Sequence, residues 1–405
     1  MSEAETLAEK PAFAFGGPAF RANPYPGYKF LRENMPVWHT PDGRFVFSRH
    51  EDVTTLLRDP RLGHANDGTE MPPEFANEPA LRGLRRSMVL LDPPAHTRIR
   101  GLVAKAFSAR RVEDLRPRIE QIVDQLIDAV IERGEMDIIA DFAHKLPVTV
   151  ICDMLGIPEE DRAPFLAQAQ VLGRIIDPVP ISRADLDASN ARAAKMGLYW
   201  AKLFAYRREN PGDDLTSGLL LARQENDALS DDEITSNIGL LFAAGHETTA
   251  NLIGNGMLAL ARNLEQREIL AGNFDLISNG VEEMLRYDSP VQLTGRTALH
   301  DTKVGDAEIP QGARVMALLG AANHDAAAYE GDPEVLDVVR PSVKPVSFGG
   351  GIHFCLGAQL ARIEGEIAFR KLFERLPNLR VTDPKNVEWK ETVTLRGLKA
   401  LPATW

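Results

Sequence analysis

The sequence predicts a mainly α-helical protein with a smaller β-rich region. Three observations carry that expectation. Helical periodicity dominates from about residue 95 to 290. Short strand-like runs gather before residue 50 and after Pro290. No internal repeat or low-complexity linker divides the 405 residues. A prior of roughly 150 residues per domain suggests two or three units. Without a linker, residues 1–22 read instead as an N-terminal arm and residues 23–405 as a single domain.

Val37–Thr40 and Arg44–Ser48 flank Pro41-Asp42-Gly43 and predict a β-hairpin. Glu51–Arg58 predicts a helix. Arg61–Leu91, rich in Gly, Pro and Asn, reads as a long functional loop ending at Asp92-Pro93-Pro94, a helix-start signal. Val112–Arg133 places Leu115, Ile119, Ile122, Val123, Leu126 and Val130 on one helical face. Gly134, Pro158, Pro178 and Pro211 separate further helices. Ser230-Asp231-Asp232-Glu233 is a capping box that opens an apolar helix running to about Ala261. After Pro290, Val291–Leu299 and Lys303–Ile309 predict strands. A Gly- and Pro-rich stretch then runs from His324 to Gly351, Leu356–Leu376 predicts a closing helix, and short strands finish the chain.

Composition excludes several classes. A hydrophobic share of 44% is too high for a disordered chain. Lys and Arg number 46 against 58 Asp and Glu, a net charge of −12, which argues against a general nucleic-acid binder. Two cysteines, Cys152 and Cys355, cannot build a disulfide framework. No apolar run reaches the roughly 18–20 residues of a membrane span. Met1–Lys10, with three Glu and no apolar core, does not resemble a signal peptide. A soluble cytoplasmic protein is expected.

The most informative segment is Phe348-Gly349-Gly350-Gly351-Ile352-His353-Phe354-Cys355-Leu356-Gly357. Glycines admit close backbone approach and positive φ. A cysteine at the mouth of a predicted helix is placed to be held as a thiolate, which can ligate iron. From the residues alone, an inert thiol beside a turn is the alternative. Cys152, in the apolar run Val148–Cys152 with no His or Gly partner, reads as a small buried hydrophobe.

The Cys355 segment resembles the haem-binding loop of the cytochrome P-450 superfamily, Phe-Gly-x-Gly-x-His-x-Cys-x-Gly, at all six fixed positions. The resemblance runs from the hairpin near residue 37 to Ala400-Leu401-Pro402. It implies a single-domain P-450 fold with haem b between a long oxygen-activation helix and the cysteine-loop helix. Cys355 would be the axial thiolate, His353 would contact a haem propionate, Phe348 would pack near the thiolate, and Gly357 would belong to the same loop. Asn323-His324-Asp325 carries His where many bacterial relatives carry Arg.

The same resemblance gives meaning to motifs that are weak alone. Glu283 and Arg286 share a helix face and, with Arg340, match the family's Glu-Arg-Arg network, a structural role. Ala244-Gly245-His246-Glu247-Thr248-Thr249 interrupts the long apolar helix with poor helix formers that can open or kink its ladder. It matches the family's oxygen-activation motif. Ala244 and Gly245 would lie against the haem, Thr248 would hydrogen-bond bound oxygen, Glu247 would deliver protons, and His246 has no assigned role. His96 and Arg100, one turn apart, and Arg296 on a strand match the family's propionate contacts. Family substrate regions map to Val89, Leu240, Ala244, Gln292, Leu293, Thr294, Thr394 and Leu395. The access lid maps to Arg61–Leu91, Phe165–Ile176 and Leu186–Arg207.

The activity implied is a soluble bacterial class I haem-thiolate monooxygenase. It would use O2 and two electrons to hydroxylate or epoxidise a hydrophobic terpenoid, steroid, fatty acid, aromatic or secondary metabolite. Electrons would come from NAD(P)H through a separate ferredoxin and ferredoxin reductase. Arg98, Lys105, Arg110, Arg111 and Arg362 would supply a basic docking patch on a monomer. The alternatives are a haem-thiolate sensor without turnover and a peroxide-driven peroxygenase. The Glu247-Thr248 pair argues against both.

Overall fold

The computed structural model describes residues 17–68, 77–166, 176–177, 181–224 and 227–405. Of the predicted arm, residues 1–16 lie outside this set. Pro18–Ala22 (α1) is a helix that buries Phe20, whose ring meets Tyr28 of Tyr25–Asn34 (α2) edge-on at 5.6 Å. The Arg396 guanidinium donates to the carbonyls of Arg21 and Ala22, tying α1 to the far end of the chain.

The predicted hairpin forms from Val37–His39 (β1) and Phe45–Phe47 (β2), with Trp38 opposite Val46. His50–Arg58 (α3) follows and buries Val53, Leu56 and Leu57. The stretch read as one long loop holds Leu62–Gly63 (β3) and Pro79–Arg85 (α4); its residues 69–76 lie outside the described set. Polar side chains, not apolar periodicity, order it. The Asp92 carboxylate accepts from the backbone N–H groups of His64 and Asn66, and the Asn66 amide donates to Arg85 O and Leu90 O at 2.8 Å.

Ala95–Ala106 (α5) starts where Asp92-Pro93-Pro94 predicted. The helix predicted over Val112–Arg133 is two: Ala109–Glu113 (α6) and Arg116–Ile131 (α7). Pro117 is the reason. It has no N–H to donate and fits only the first turn, so α7 must begin beside it. Lys145–Leu155 (α8) buries Cys152 completely. Arg183–Glu209 (α9) covers one predicted lid helix, whereas most of the other, residues 167–175, lies outside the described set.

Asp231–Arg262 (α10) is the central helix. Ser230 Oγ accepts from Glu233 N, and Glu233 Oε2 accepts from Ser230 N, the reciprocal cap the sequence predicted. It packs against α8, Ile277–Tyr287 (α11) and Ala358–Arg375 (α12). Gly256 permits close approach to α11 and α12: a Cβ there would press on Met284 Sδ and the Phe369 ring, each 2.6 Å away. One apolar core runs through α5, α7, α8, α10, α11 and α12.

The β-rich region follows. Leu293–Ala298 (β4) falls inside the predicted strand. Lys303–Ile309 is not one strand but a hairpin of Thr302–Val304 (β5) and Ala307–Ile309 (β6), because Gly305-Asp306 forms its turn. Arg314–Leu318 (β7) completes a sheet ordered β1-β2-β7-β4-β3. β7 runs parallel to β2 and antiparallel to β4, where Val315 faces Arg296. Among the described residues no helix is long and apolar enough to cross a membrane.

Candidate active site

A cavity of about 810 Å³ lies between α10, the sheet and the loop that leads into α12. That volume suits a cofactor together with a small molecule. Leu240, Ala244 and Thr248, spaced one turn apart, form the α10 wall; Cys355, Leu356 and Gly357 line it from the loop.

The loop owes its shape to glycine and to one backbone bond. Gly349 and Gly351 have φ of +72° and +62°, and Cys355 N donates to Phe348 O at 2.9 Å. Cys355 lines the cavity. Burial pushes this thiol up, while the Gly357 N–H and the Arg100 and Arg362 guanidinium groups act in the opposite direction. The Arg362 guanidinium sits 4.5 Å over the Phe348 ring and pairs with Glu282. A Cβ on Gly351 would collide with the Leu57 carbonyl oxygen of α3. Gly351→Ala is therefore expected to cost about 1–3 kcal/mol and to lower cofactor retention, read from the unfolding midpoint and haem content. Wild-type values for both would show that the loop relaxes freely.

A buried ion network stands behind this loop. Arg286 Nε and Nη2 donate to the Glu283 carboxylate at 2.7 and 2.8 Å, and Arg340 Nε reaches the same carboxylate at 3.3 Å. Glu283 and Arg286 are 0% exposed. The guanidinium groups also bind the carbonyls of Asn323, Pro333, Val335, Glu330 and Asp332. They thus shape the irregular chain that precedes Cys355. His324, the departure noted in the sequence, sits beside it with Nδ1 3.0 Å from Glu334 Oε2 and Nε2 2.9 Å from Tyr287 O.

The predicted propionate residues do converge. The His96 and His353 rings lie 4.4 Å apart, and His64, which the sequence reading missed, lies 5.0 Å from His353. Arg296, 7% exposed, and Arg100 border the same cavity. Burial, reinforced by Arg296 and the neighbouring rings, depresses His64 to about 2 and His353 to about 3; burial lowers Arg296 to about 10. Both ring nitrogens of His96, and Nε2 of His64 and His353, have no hydrogen-bond partner. A neutral imidazole carries one N–H, so each of the three rings has a donor to offer an anion.

The acid–alcohol pair is divided. Thr248 faces the cavity, its Oγ1 donating to Ala244 O at 2.6 Å. Glu247, 2% exposed, points elsewhere and pairs with Lys390 Nζ at 3.2 Å. The helix stays α-helical through Ala244–Thr249, because Thr248 bonds a carbonyl of the ladder without breaking it.

Comparison with known proteins fits this arrangement. Residues 201–397 match the family model of cytochrome P450. Cytochrome P450 107B1 of Saccharopolyspora erythraea is 40% identical over 98% of each chain. Vitamin D(3) 25-hydroxylase of Pseudonocardia autotrophica is 41% identical over 95% of this chain and 94% of its own. P450BioI, solved in complex with an acyl carrier protein bearing hexadec-9Z-enoic acid, is 35% identical with a TM-score of 0.89 over 95% of this chain and 99% of its own.

The chain belongs to the cytochrome P450 family. It is a P450 monooxygenase, and the family's haem-thiolate cofactor fits the site on its own chemistry. Haem brings two carboxylates, which match the unpartnered donors of His64, His96 and His353 beside Arg100 and Arg296. Its iron accepts a soft thiolate, which the cavity-facing Cys355 can provide.

The predicted substrate wall of this P450 needs one correction. Val89, Leu240, Ala244, Leu293, Thr294, Thr394 and Leu395 line the cavity. Gln292 does not: its Nε2 donates to Ser289 O at 2.7 Å and its side chain packs against Gly320 and Tyr28. Three further groups line the cavity. Leu81 and Leu84 form an i, i+3 apolar pair on α4 that was hidden in a stretch read as loop. Asp177 accepts from Val393 N, Thr394 N and Thr394 Oγ1. Glu364 is a fully buried carboxyl that burial holds well above its ordinary range. An acid on the apolar stripe Leu360–Ile363–Ile367 was the available signal for it.

Proposed function

We propose that this P450 inserts one oxygen atom from O2 into a hydrophobic small molecule, by hydroxylation or epoxidation. The single observation that carries the reading is the cavity between Cys355 and the Leu240–Ala244–Thr248 ridge, apolar on most sides, with the Thr248 alcohol on its α10 wall. When bound, the haem supplies the activation of dioxygen. Cys355 holds its iron; His96, Arg100, Arg296 and His353, joined by His64, hold its carboxylates; Ala244, Gly245, Phe348 and Gly357 shape the space around it. Residues 23–405 act as one catalytic domain in the cytoplasm.

Leu240, Leu293 and Leu395, with Leu81 and Leu84 above them, exclude water and select an apolar substrate. The lipophilic molecules in the names of the relatives, a vitamin D3 and a fatty acyl chain, support a sterol-like or long-chain substrate. Thr248, on the α10 wall, hands a proton into the cavity, with Glu247 behind it as the acid. Thr248→Ala is expected to keep the haem but to lower product formed per NAD(P)H consumed by about tenfold or more, as for loss of a positioned proton donor. Unchanged coupling would remove Thr248 from the reaction.

Electrons come from NAD(P)H through a ferredoxin reductase and an acidic ferredoxin. Of the five basic residues expected to receive it, Arg98 pairs with Glu233, Arg111 with Asp213 at 2.8 Å, and Arg362 with Glu282. Lys105, Arg110 and Arg111 are exposed, and with the exposed Ile352 and Phe354 of the cysteine loop they define the favoured docking face. Product formation with peroxide alone, at the rate given by dioxygen and a ferredoxin system, would assign the peroxide-driven reaction instead. Absence of turnover on every ligand that binds would assign a sensor.

A further inference from the structure

One buried side chain joins the substrate wall to a residue that faces the haem carboxylates. Ala65 stands between His64 and Asn66 with a φ of +52°, in the left-handed region that a residue with a Cβ enters only under constraint. The constraint is Asp92. Its carboxylate accepts from His64 N at 2.9 Å and from Asn66 N at 2.8 Å, and its own N–H donates to Asn66 O at 2.7 Å. Gly63 lets this carboxylate in, since a Cβ there would strike Asp92 Oδ1. Asn66, 4% exposed, carries the hold onward. Both N–H bonds of its amide are spent, one on Arg85 O and one on Leu90 O, each at 2.8 Å. Those carbonyls flank Met88 and Val89, and Arg85, Met88, Val89 and Leu90 all line the cavity. On the other side of Ala65, His64 lines the same cavity, with its ring 5.0 Å from that of His353.

We propose that Asn66 is a positioning residue that sets two sites at once: its amide fixes the substrate wall at residues 85–90, and through the strained Ala65 it keeps His64 turned toward the haem carboxylates. The proposal rests on the reading of His64 as a haem-holding residue and of this cavity as the substrate site. Three facts carry it together. A left-handed alanine persists only where the groups on both sides are fixed, and Asn66 is one of those sides. The helix α4, which leads into the wall, has no fully buried residue, so its end depends on polar bonds more than on core packing. A single amide makes both bonds to the wall, so the wall and the His64 backbone cannot shift independently. Asn66 itself lines neither the substrate nor the cofactor side of the cavity.

The test uses the haem-loaded enzyme with Asn66→Ala, His64→Ala and the two combined. Affinity is read from the Soret shift with two iron ligands that share an imidazole: clotrimazole, whose aromatic bulk must fit the wall, and imidazole itself, which needs no wall. Asn66→Ala weakens clotrimazole by about tenfold or more, the scale of one or two lost hydrogen bonds, and imidazole by less than about twofold. His64→Ala leaves the ratio of the two affinities unchanged. The rate of haem loss to apomyoglobin reads the other site. Asn66→Ala and His64→Ala each speed it by about threefold or more, and the double variant is no faster than His64→Ala alone, because the amide acts through that ring. If Asn66→Ala does not fold, Asn66→Ser, whose hydroxyl is too short to span both carbonyls, gives the same pair of effects. An unchanged affinity ratio overturns the proposal and leaves His64 in its place, and so does a double variant whose haem loss is the product of the single effects. A His64→Ala enzyme that keeps haem like the wild type overturns the proposal together with the role of His64 beneath it.

Discussion

Cys355→Ala yields a protein whose reduced, carbon-monoxide-bound form lacks the red-shifted Soret band of a thiolate-ligated haem and whose turnover falls below detection. The argument is one of position. The sulfur faces the cavity, on a loop fixed by the Cys355 N to Phe348 O bond at 2.9 Å. A methyl group at that position offers the iron no lone pair. Cys152 is the internal control. It is 0% exposed in the helical core and does not border the cavity, so its sulfur has no access to the iron. Cys152→Ala keeps the band and costs only about 1 kcal/mol, the centre of the range for ordinary substitutions. A Cys355→Ala protein that kept the band would make the ligand assignment wrong.

Glu283→Ala produces the largest expected loss of stability. The substitution leaves Arg286, 0% exposed, and Arg340, 2% exposed, without their shared carboxylate. Removing one partner of a buried pair costs about 3–5 kcal/mol. That is a large part of the roughly 5–15 kcal/mol that holds a folded domain together. The same guanidinium groups hold the carbonyls of residues 323–335, the chain that runs toward the cysteine loop. Haem occupancy and the denaturant midpoint should therefore fall together. A variant with full occupancy and a midpoint within experimental error of the wild type would show that the network is dispensable.

Much of the fold was legible because local chemistry specifies it. The Ser230–Glu233 cap, the Pro41-Asp42-Gly43 turn and the apolar period of α10 each act within a few residues. The misses share a different cause. Pro117 interrupts a run whose apolar period continues through it, so the period alone reads as one helix. Gly305-Asp306 reverses a short run whose residues suit either one strand or two. The described parts of Arg61–Leu91 are held by Asp92 and Asn66, whose bonds to distant backbone leave no periodic trace. In the site, the motif residues around Cys355 could be read from their match to the family's haem-binding loop. His64 and Lys390 could not, because each reaches its partners only through the fold: His64 meets His353, and Lys390 crosses 143 positions to Glu247. Gln292 failed for the opposite reason. It neighbours cavity residues in sequence, but it stands just before β4, where its amide is held by Ser289 O and points away from the cavity.

The parallel pairing of β2 with β7 sets an order on the birth of the molecule. Residues 45–47 leave the ribosome early, but their partners are residues 315–317. Until that stretch has been translated, the sheet lacks its middle strand and Arg296 lacks the neighbour, Val315, that fixes its register. Pairings separated this far in sequence form late and slowly. His64, His96 and Arg100 wait through most of synthesis for Arg296, His353 and Cys355. Haem capture is therefore an event of the nearly finished chain, and a nascent protein stalled before Cys355 has a binding half without a ligand.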